Sequence, residues 1–430
     1  MSPWRPTAAL VRALAAGGVG LALAVVLGRP AVVVLVAPLL LVGALGLLHR
    51  PRARPRVAVR VEHAVLREGQ GTRSVLDGSD LGDVEHVTRS SGPVPQVVLR
   101  PAGGRVQQLV GADGELPAIE VGPRRWGVRR LGDEEVALTS PWAGYRCGPT
   151  RQVGPRLDVL PVGAPFASHA EAPQPLGLVG AHRSRSPGDG AELDSIRAFR
   201  TGDRLRRINW RVSLRTGELH VVAPLAERDT GVLLVVDALA DHGVSGGIDG
   251  TASSLDVTVR AAAALAEHHL RRGDRVALRV IGSRGEQVGY GAGSNHLRRL
   301  QFRLARLVPN EPRLAADQLQ LLATPGTVVL VLSPMLADVV ATVTAGLLRG
   351  GLPVLVVDTL PEGTVPATVE GTGPRVADLA WRMRRLEREA VLDRLASLAC
   401  PVVAWRGPGT LDDVLRRLAR RSRLPRVRPR

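Results

Sequence analysis

Two charge-free apolar runs near the amino terminus, Ala13 to Leu27 and Ala31 to Leu48, constrain this chain most, because only Gly28-Arg29-Pro30 separates them. A helix that crosses a bilayer needs about 20 predominantly apolar residues. The first run reaches that length if Arg12 extends its head toward the interface beside Trp4. The pair therefore reads as a helical hairpin within residues 1–50, with spans at about 8–27 and 31–48. Arg5 and Arg12 precede the hairpin, and a basic segment at 51–56 follows His49-Arg50. The positive-inside rule places both ends, and the bulk of the chain, on the cytoplasmic side of the plasma membrane. A cleaved signal peptide competes with this reading, but no convincing small-x-small cleavage site precedes the second run. Residues 51–56 read first as a topology determinant and second as a contact for anionic lipid headgroups.

At 430 residues the chain has room for two or three domains. Apolar residues make up 45%, enough for cores, whereas aromatics at 3% leave packing to Leu, Val and Ala. All 57 basic side chains are arginine, a compositional bias that weakens the functional reading of any single one. A net charge of +17 suits nucleic acid or an anionic membrane. Base-stacking aromatics and zinc-finger spacing are missing, which argues against nucleic acid as a partner. Cys147 and Cys400 make neither a disulfide framework nor a zinc pattern.

Residues 57–162 carry short period-two runs, such as VAVRVEHAVL, PQVVLRPA, RVQQLVG, RRWGVRRL and EEVALTS, separated by Gly, Asp and Pro. They predict a small β-sandwich. Residues 163–190, rich in Ala, Pro, Gly and Ser, read as a linker or surface loop. From 231 to 421 strands alternate with helices, with helical stretches near 296–307, 335–348, 376–398 and 411–418. The fold class is therefore α/β, a parallel sheet with helices on both faces, followed by a basic tail at 422–430. Ligands in such sheets sit at the carboxyl ends of the strands, here near Asp237, Ser333 and Asp358.

Between linker and sheet, residues 191–230 contain RAFRTGDRLRRINWRVSLR, Arg197 to Arg215. Thr201-Gly202-Asp203 is a tight turn, with Gly202 free to adopt positive φ. Arg197, Arg206, Arg207 and Arg215 supply guanidinium forks for Asp203, Glu192, Asp194 or an acidic partner. The structural alternative is a salt-bridged turn with Phe199, Ile208 and Trp210 in a core.

This segment resembles the signature of a bacterial family, domain of unknown function 58. Arg197, Gly202, Asp203, Arg206, Ile208, Trp210 and Arg215 match its pattern, while Phe199 replaces a tyrosine and Leu214 an alanine. The resemblance implies a von Willebrand A-like domain of Rossmann type. It also implies work with a MoxR-type AAA+ ATPase, often beside a transglutaminase-like membrane protein. Such domains usually hold a divalent cation through Asp-x-Ser-x-Ser after the first strand. Here Asp237-Ala238-Leu239-Ala240-Asp241 offers no oxygen at Leu239, and Pro334 stands where a later aspartate is expected. Asp237, Asp241 and Ser333 therefore read as a degenerate crevice, with no metal and no cofactor.

Other motifs have structural readings. Gly243-Val244-Ser245-Gly246-Gly247 matches a hydrolase elbow in letters, but lacks the immediate strand and helix and reads as a loop. Gly289-Tyr290-Gly291-Ala292-Gly293 reads as a glycine turn, with Ser294 or Asn295 capping the next helix. His268-His269 read as a surface and boundary pair. Trp381 to Leu398 reads as a helix covering the sheet through Leu386, Leu392, Leu395 and Ala399. No catalytic constellation emerges, so the expected function is a non-enzymatic membrane-anchored adaptor. The alternatives are a metal-dependent ligand-binding domain and, more remotely, a serine hydrolase or nucleic-acid binder.

Overall fold

The computed structural model of the chain describes residues 3–110, 116–162, 183–187, 193–199, 208–227, 231–282, 287–310, 327–364, 373–407 and 409–410. The chain divides into two compact units, Met1–Leu160 with Gly247–Asp249, and the remainder.

The first unit opens with strand β1 (Arg5–Pro6) and helices α1 (Ala8–Val26) and α2 (Ala31–Leu48). The Thr7 hydroxyl caps α1, accepting from the Leu10 N–H at 3.1 Å. Glycine lets the two helices approach closely. A Cβ on Gly17 would lie 2.6 Å from Leu40 Cδ2, and one on Gly20 would lie 2.3 Å from Val36 Cγ1. In the other direction, Leu14 and Leu10 of α1 sit over Gly43 and Gly46 of α2. Each helix thus seats branched side chains in the glycine notches of the other, as helices do where hydrophobic exclusion cannot drive them together. Their outward faces expose Val25, Val26, Val34 and Leu35, and both helices are long and apolar enough to cross a membrane.

The unit continues through β2 (Arg56–Val61), β3 (Val65–Arg67), β4 (Thr72–Ser79), β5 (His86–Ser91), β6 (Val97–Arg100) and β7 (Arg105–Leu109). It ends with β8 (Ile119–Pro123), β9 (Gly127–Arg130), β10 (Glu134–Thr139), β11 (Tyr145–Gln152) and β12 (Arg156–Leu160). Sheets of order β1-β11-β10-β5-β7 and β2-β4-β8-β6 share a core of Val57, Leu76, Val87, Val136, Leu138 and Cys147. A third sheet, β3-β12-β9, buries Leu66, Leu157 and Val159. The period-two runs do not single out β4 and β5, whose buried positions include the polar residues Thr72, Ser74, Arg89 and Ser91. Arg89 is fully buried and ties the layers together: it pairs with Glu134 of β10 and donates to the carbonyls of Ser74 (2.6 Å) and Pro117 (3.0 Å). Removing one member of such a pair strands a buried charge, so Arg89 is structural despite the arginine-rich composition.

The second unit contains β13 (Arg183–Pro187), β14 (Leu193–Ala198), α3 (Trp210–Thr216) and β15 (His220–Glu227). β15 lies between β13 and β14 in an antiparallel sheet. Part of the expected linker is therefore a paired strand, its hydrogen bonding supplied by β15 rather than by any apolar period of its own.

Next come β16 (Gly231–Asp237), α4 (Ser254–Arg271), β17 (Arg275–Ile281), β18 (Gln287–Gly291) and α5 (Gly293–Leu304). They are followed by β19 (Val328–Ser333), α6 (Asp338–Arg349), β20 (Val354–Asp358), α7 (Pro374–Ser397) and β21 (Val402–Ala404). These strands form a sheet of order β18-β17-β16-β19-β20-β21, parallel except for the antiparallel edge strand β18. The unbroken burial of β16 and β19 reflects cover on both faces. α4, begun by a capping box of Ser253 and Asp256, packs on β16, β17 and β19. Val340, Val343 and Leu347 of α6 join Leu233, Val235, Val329, Val331, Val354 and Val356 in one core.

Three local expectations are corrected here. The glycine turn is largely strand β18, and α5 starts from Ala292 with no side-chain cap from Ser294 or Asn295. His269 is buried, its Nδ1 2.9 Å from Asp274 Oδ2, rather than at the surface. Burial also pushes the half-buried His268 down to about 4. The stretches 411–418 and 422–430 lie outside the described residues.

The glycine notches make a prediction. Gly20→Leu wedges α1 from α2 and lowers the melting temperature of the detergent-solubilised protein, by overpacking of about 1–3 kcal/mol. Gly18→Leu, whose Cβ meets nothing within 4 Å, leaves it unchanged.

Candidate functional site

Strands β16, β19 and β20 are neighbours, and their carboxyl ends carry Asp237, Ser333 and Asp358. The order reverses between β16 and β19, so this edge is the crevice where α/β sheets take ligands. The structure brings Asp237 and Ser333 together: the Ser333 hydroxyl donates to Asp237 Oδ2 at 2.6 Å, and the Leu239 N–H donates to Oδ1 at 3.0 Å. Burial, the largest influence, raises the Asp237 carboxyl above its ordinary range, with both hydrogen bonds opposing. Asp241 is directed elsewhere, its Oδ1 accepting from the Leu255 N–H at 3.0 Å in the first turn of α4.

A residue not singled out from the sequence completes the crevice. Arg388 of α7 makes an ion pair with Asp358, and its Nε donates to the Pro334 carbonyl at 2.7 Å. Asp358 Oδ1 also accepts from the Leu360 N–H at 3.1 Å. A guanidinium therefore neutralises the outer carboxylate, beside the proline that stands where an acidic ligand is expected. Among the described residues, no three His, Cys, Asp or Glu side chains converge as a metal set.

The arginine-rich signature is divided between strand and helix. Arg197 pairs with Val221 across β14 and β15, and the Phe199 N–H donates to the Leu219 carbonyl at 2.8 Å. Ile208 bridges to Val221 and is half-buried. Gly202, Asp203 and Arg206 lie outside the described residues. Asn209 begins α3, its Oδ1 accepting from the Val212 N–H at 3.2 Å, and Gly217 ends it at φ +76°. Ser213 faces inward, its hydroxyl donating to the Asn209 carbonyl and accepting from the His220 N–H. That orientation turns Trp210 outward. It is 62% exposed, not in a core, beside Leu214 at 83% and the exposed Arg211 and Arg215.

The first unit carries a cavity of about 630 Å³ lined by Arg73, Arg100 and Arg124 as well as Glu62 and Glu120. Its mixed charge selects neither an anion nor a cation.

Asp237 makes a pH prediction. The folded state keeps its proton to higher pH than the unfolded chain does, so stability falls as pH rises from the ordinary carboxylate range near 3.8 through the raised folded pKa. In melts across acidic to neutral pH, Asp237→Asn loses this fall and gains on the unsubstituted protein as pH rises.

Two curated relatives, uncharacterized proteins of Mycobacterium tuberculosis and Mycobacterium bovis, are each 33% identical over 143 residues. The match covers 32% of this chain and 42% of each relative, so the chain spans less than half of their length. The family model described as protein of unknown function DUF58 matches residues 195–362, from β14 through the crevice strands. The family indicated by the arginine-rich signature is thus the one that this region matches, DUF58.

Proposed function

We propose that the chain is a membrane-anchored, non-enzymatic adaptor whose DUF58 region docks a protein partner through α3. The observation that carries this reading is the exposure of Trp210 and Leu214, one turn apart and flanked by Arg211 and Arg215. Leaving a tryptophan in water forgoes a large burial gain, and Trp and Arg are the side chains most enriched at interface hot spots. The crevice supports the same reading, because protein groups already occupy the carboxylates of Asp237, Asp241 and Asp358.

The family resemblance supplies the partner class, a MoxR-type AAA+ ATPase, with a transglutaminase-like membrane protein as a further member. The two apolar helices and their flanking arginines support an anchor in the plasma membrane with the soluble units in the cytoplasm. An ATPase would meet its nucleotide on that side. Residues 51–56 would rest on anionic headgroups.

The test is purification of the full chain from native membranes in mild detergent, with and without ATP, and identification of what accompanies it. Recovery of an AAA+ ATPase that changes with nucleotide is expected. Loss of a hot-spot anchor costs about 2 kcal/mol or more, so Trp210→Ala with Leu214→Ala cuts recovery by about tenfold or more at an unchanged melting temperature. Equal recovery with the double variant, or no ATPase at all, contradicts the proposal.

A further inference from the structure

Helix α7 has two apolar stripes on opposite sides. Ala377, Trp381, Arg388, Val391, Leu392 and Leu395 turn inward, the last joining the sheet core. Val376, Leu379, Met383 and Leu386 point the other way and are 62%, 60%, 56% and 65% exposed. Their spacing of three, four and three residues is that of a and d positions in a coiled coil, with Ala390 at the next a. An exposed stripe of this kind on a helix that is already anchored along its other face is an interaction surface.

The charges beside the stripe identify what covers it. With Met383 at a and Leu386 at d, Arg382 and Glu389 take g positions, and Glu387 and Arg394 take e positions. In a parallel, in-register pair each g residue meets the e residue five positions on in the other helix. Arg382, which pairs with Asp378 one turn back at 2.9 Å and is still largely exposed, then faces Glu387 of the partner subunit, and Glu389 faces Arg394 of the partner subunit. Both contacts join opposite signs and repeat by symmetry. We propose that α7 pairs, parallel and in register, with α7 of a second copy of this chain.

Four apolar side chains per copy bury far less than the roughly 1,600 Å² of a standard interface. Pairing therefore depends on a high local concentration, which anchoring both copies in one membrane supplies. The inference does not depend on the partner proposed for α3.

Cysteine cross-linking of the full chain in native membranes tests it. Cys147 and Cys400 are both buried, so an introduced thiol dominates the reaction. Under mild oxidation Val376→Cys and Leu386→Cys each give a disulfide-linked dimer, and Arg385→Cys, off the stripe, does not. Arg382→Glu lowers the yield of Leu386→Cys dimer by about fivefold or more, as expected for placing like charges at g and e. Adding Glu387→Arg, which swaps the signs, restores it. Linking at only one of the two stripe positions indicates an antiparallel pair and overturns the proposal. Equal linking at Arg385→Cys, or failure of the charge swap to restore the yield, also overturns it. So do stripe thiols that stay monomeric yet shielded from maleimide, because an antiparallel copy, a segment of the same chain or another protein then covers the stripe.

Discussion

The ion pair between Arg388 and Asp358 is the contact that joins the crevice of the second unit to the outward face of α7. It forms at the carboxyl edge of the sheet, next to Ser333 and the Pro334 carbonyl. Both side chains are largely withdrawn from water, at 12% and 14% exposure, where a charge left alone is costly. Holding Arg388 inward fixes the rotation of α7 about its axis. Trp381 and Leu395 follow to the inner side, and Val376, Leu379, Met383 and Leu386 are left facing out. One polar contact thus closes the crevice and presents a surface.

The parts of the fold that were legible in the sequence are those whose burial comes from long apolar runs. Gly231–Asp237, Val328–Ser333 and Val354–Asp358 read as buried strands because apolar side chains occupy both faces. The amino-terminal hairpin was legible for the same reason. What escaped depended on partners. β13 is held by pairing with β15, and β18 is a glycine-containing edge strand whose letters favour a turn. β4 and β5 bury Ser74 and Arg89, which a shared network with Glu134 makes tolerable.

The candidate site was legible as positions and not as an arrangement. Asp237 and Ser333 do meet, yet nothing local to either foretells Arg388, which arrives from a helix about 50 residues beyond Ser333. α7 carries apolar residues on two sides, so its period alone does not decide which side is buried. Leu386, whose spacing with Leu392 and Leu395 suits the sheet side, lies outside. Trp210 reads from the sequence either as core or as a recognition residue, and only the packing of α3, which leaves it exposed, separates the two. Ser213, an unremarked position in the signature, takes the inward place on α3 through its bonds to Asn209 and His220.

The proposed adaptor binds through the outer surface of its DUF58 region, while the crevice is satisfied from within. Site-specific photo-cross-linking in native membranes separates the two surfaces, with a photoreactive side chain placed at Leu214 on α3 or at the exposed Ala240 beside the crevice. Protein adducts from Leu214 and none from Ala240 are the predicted result. Adducts from Ala240 with Leu214 silent would contradict it and make the crevice the working site.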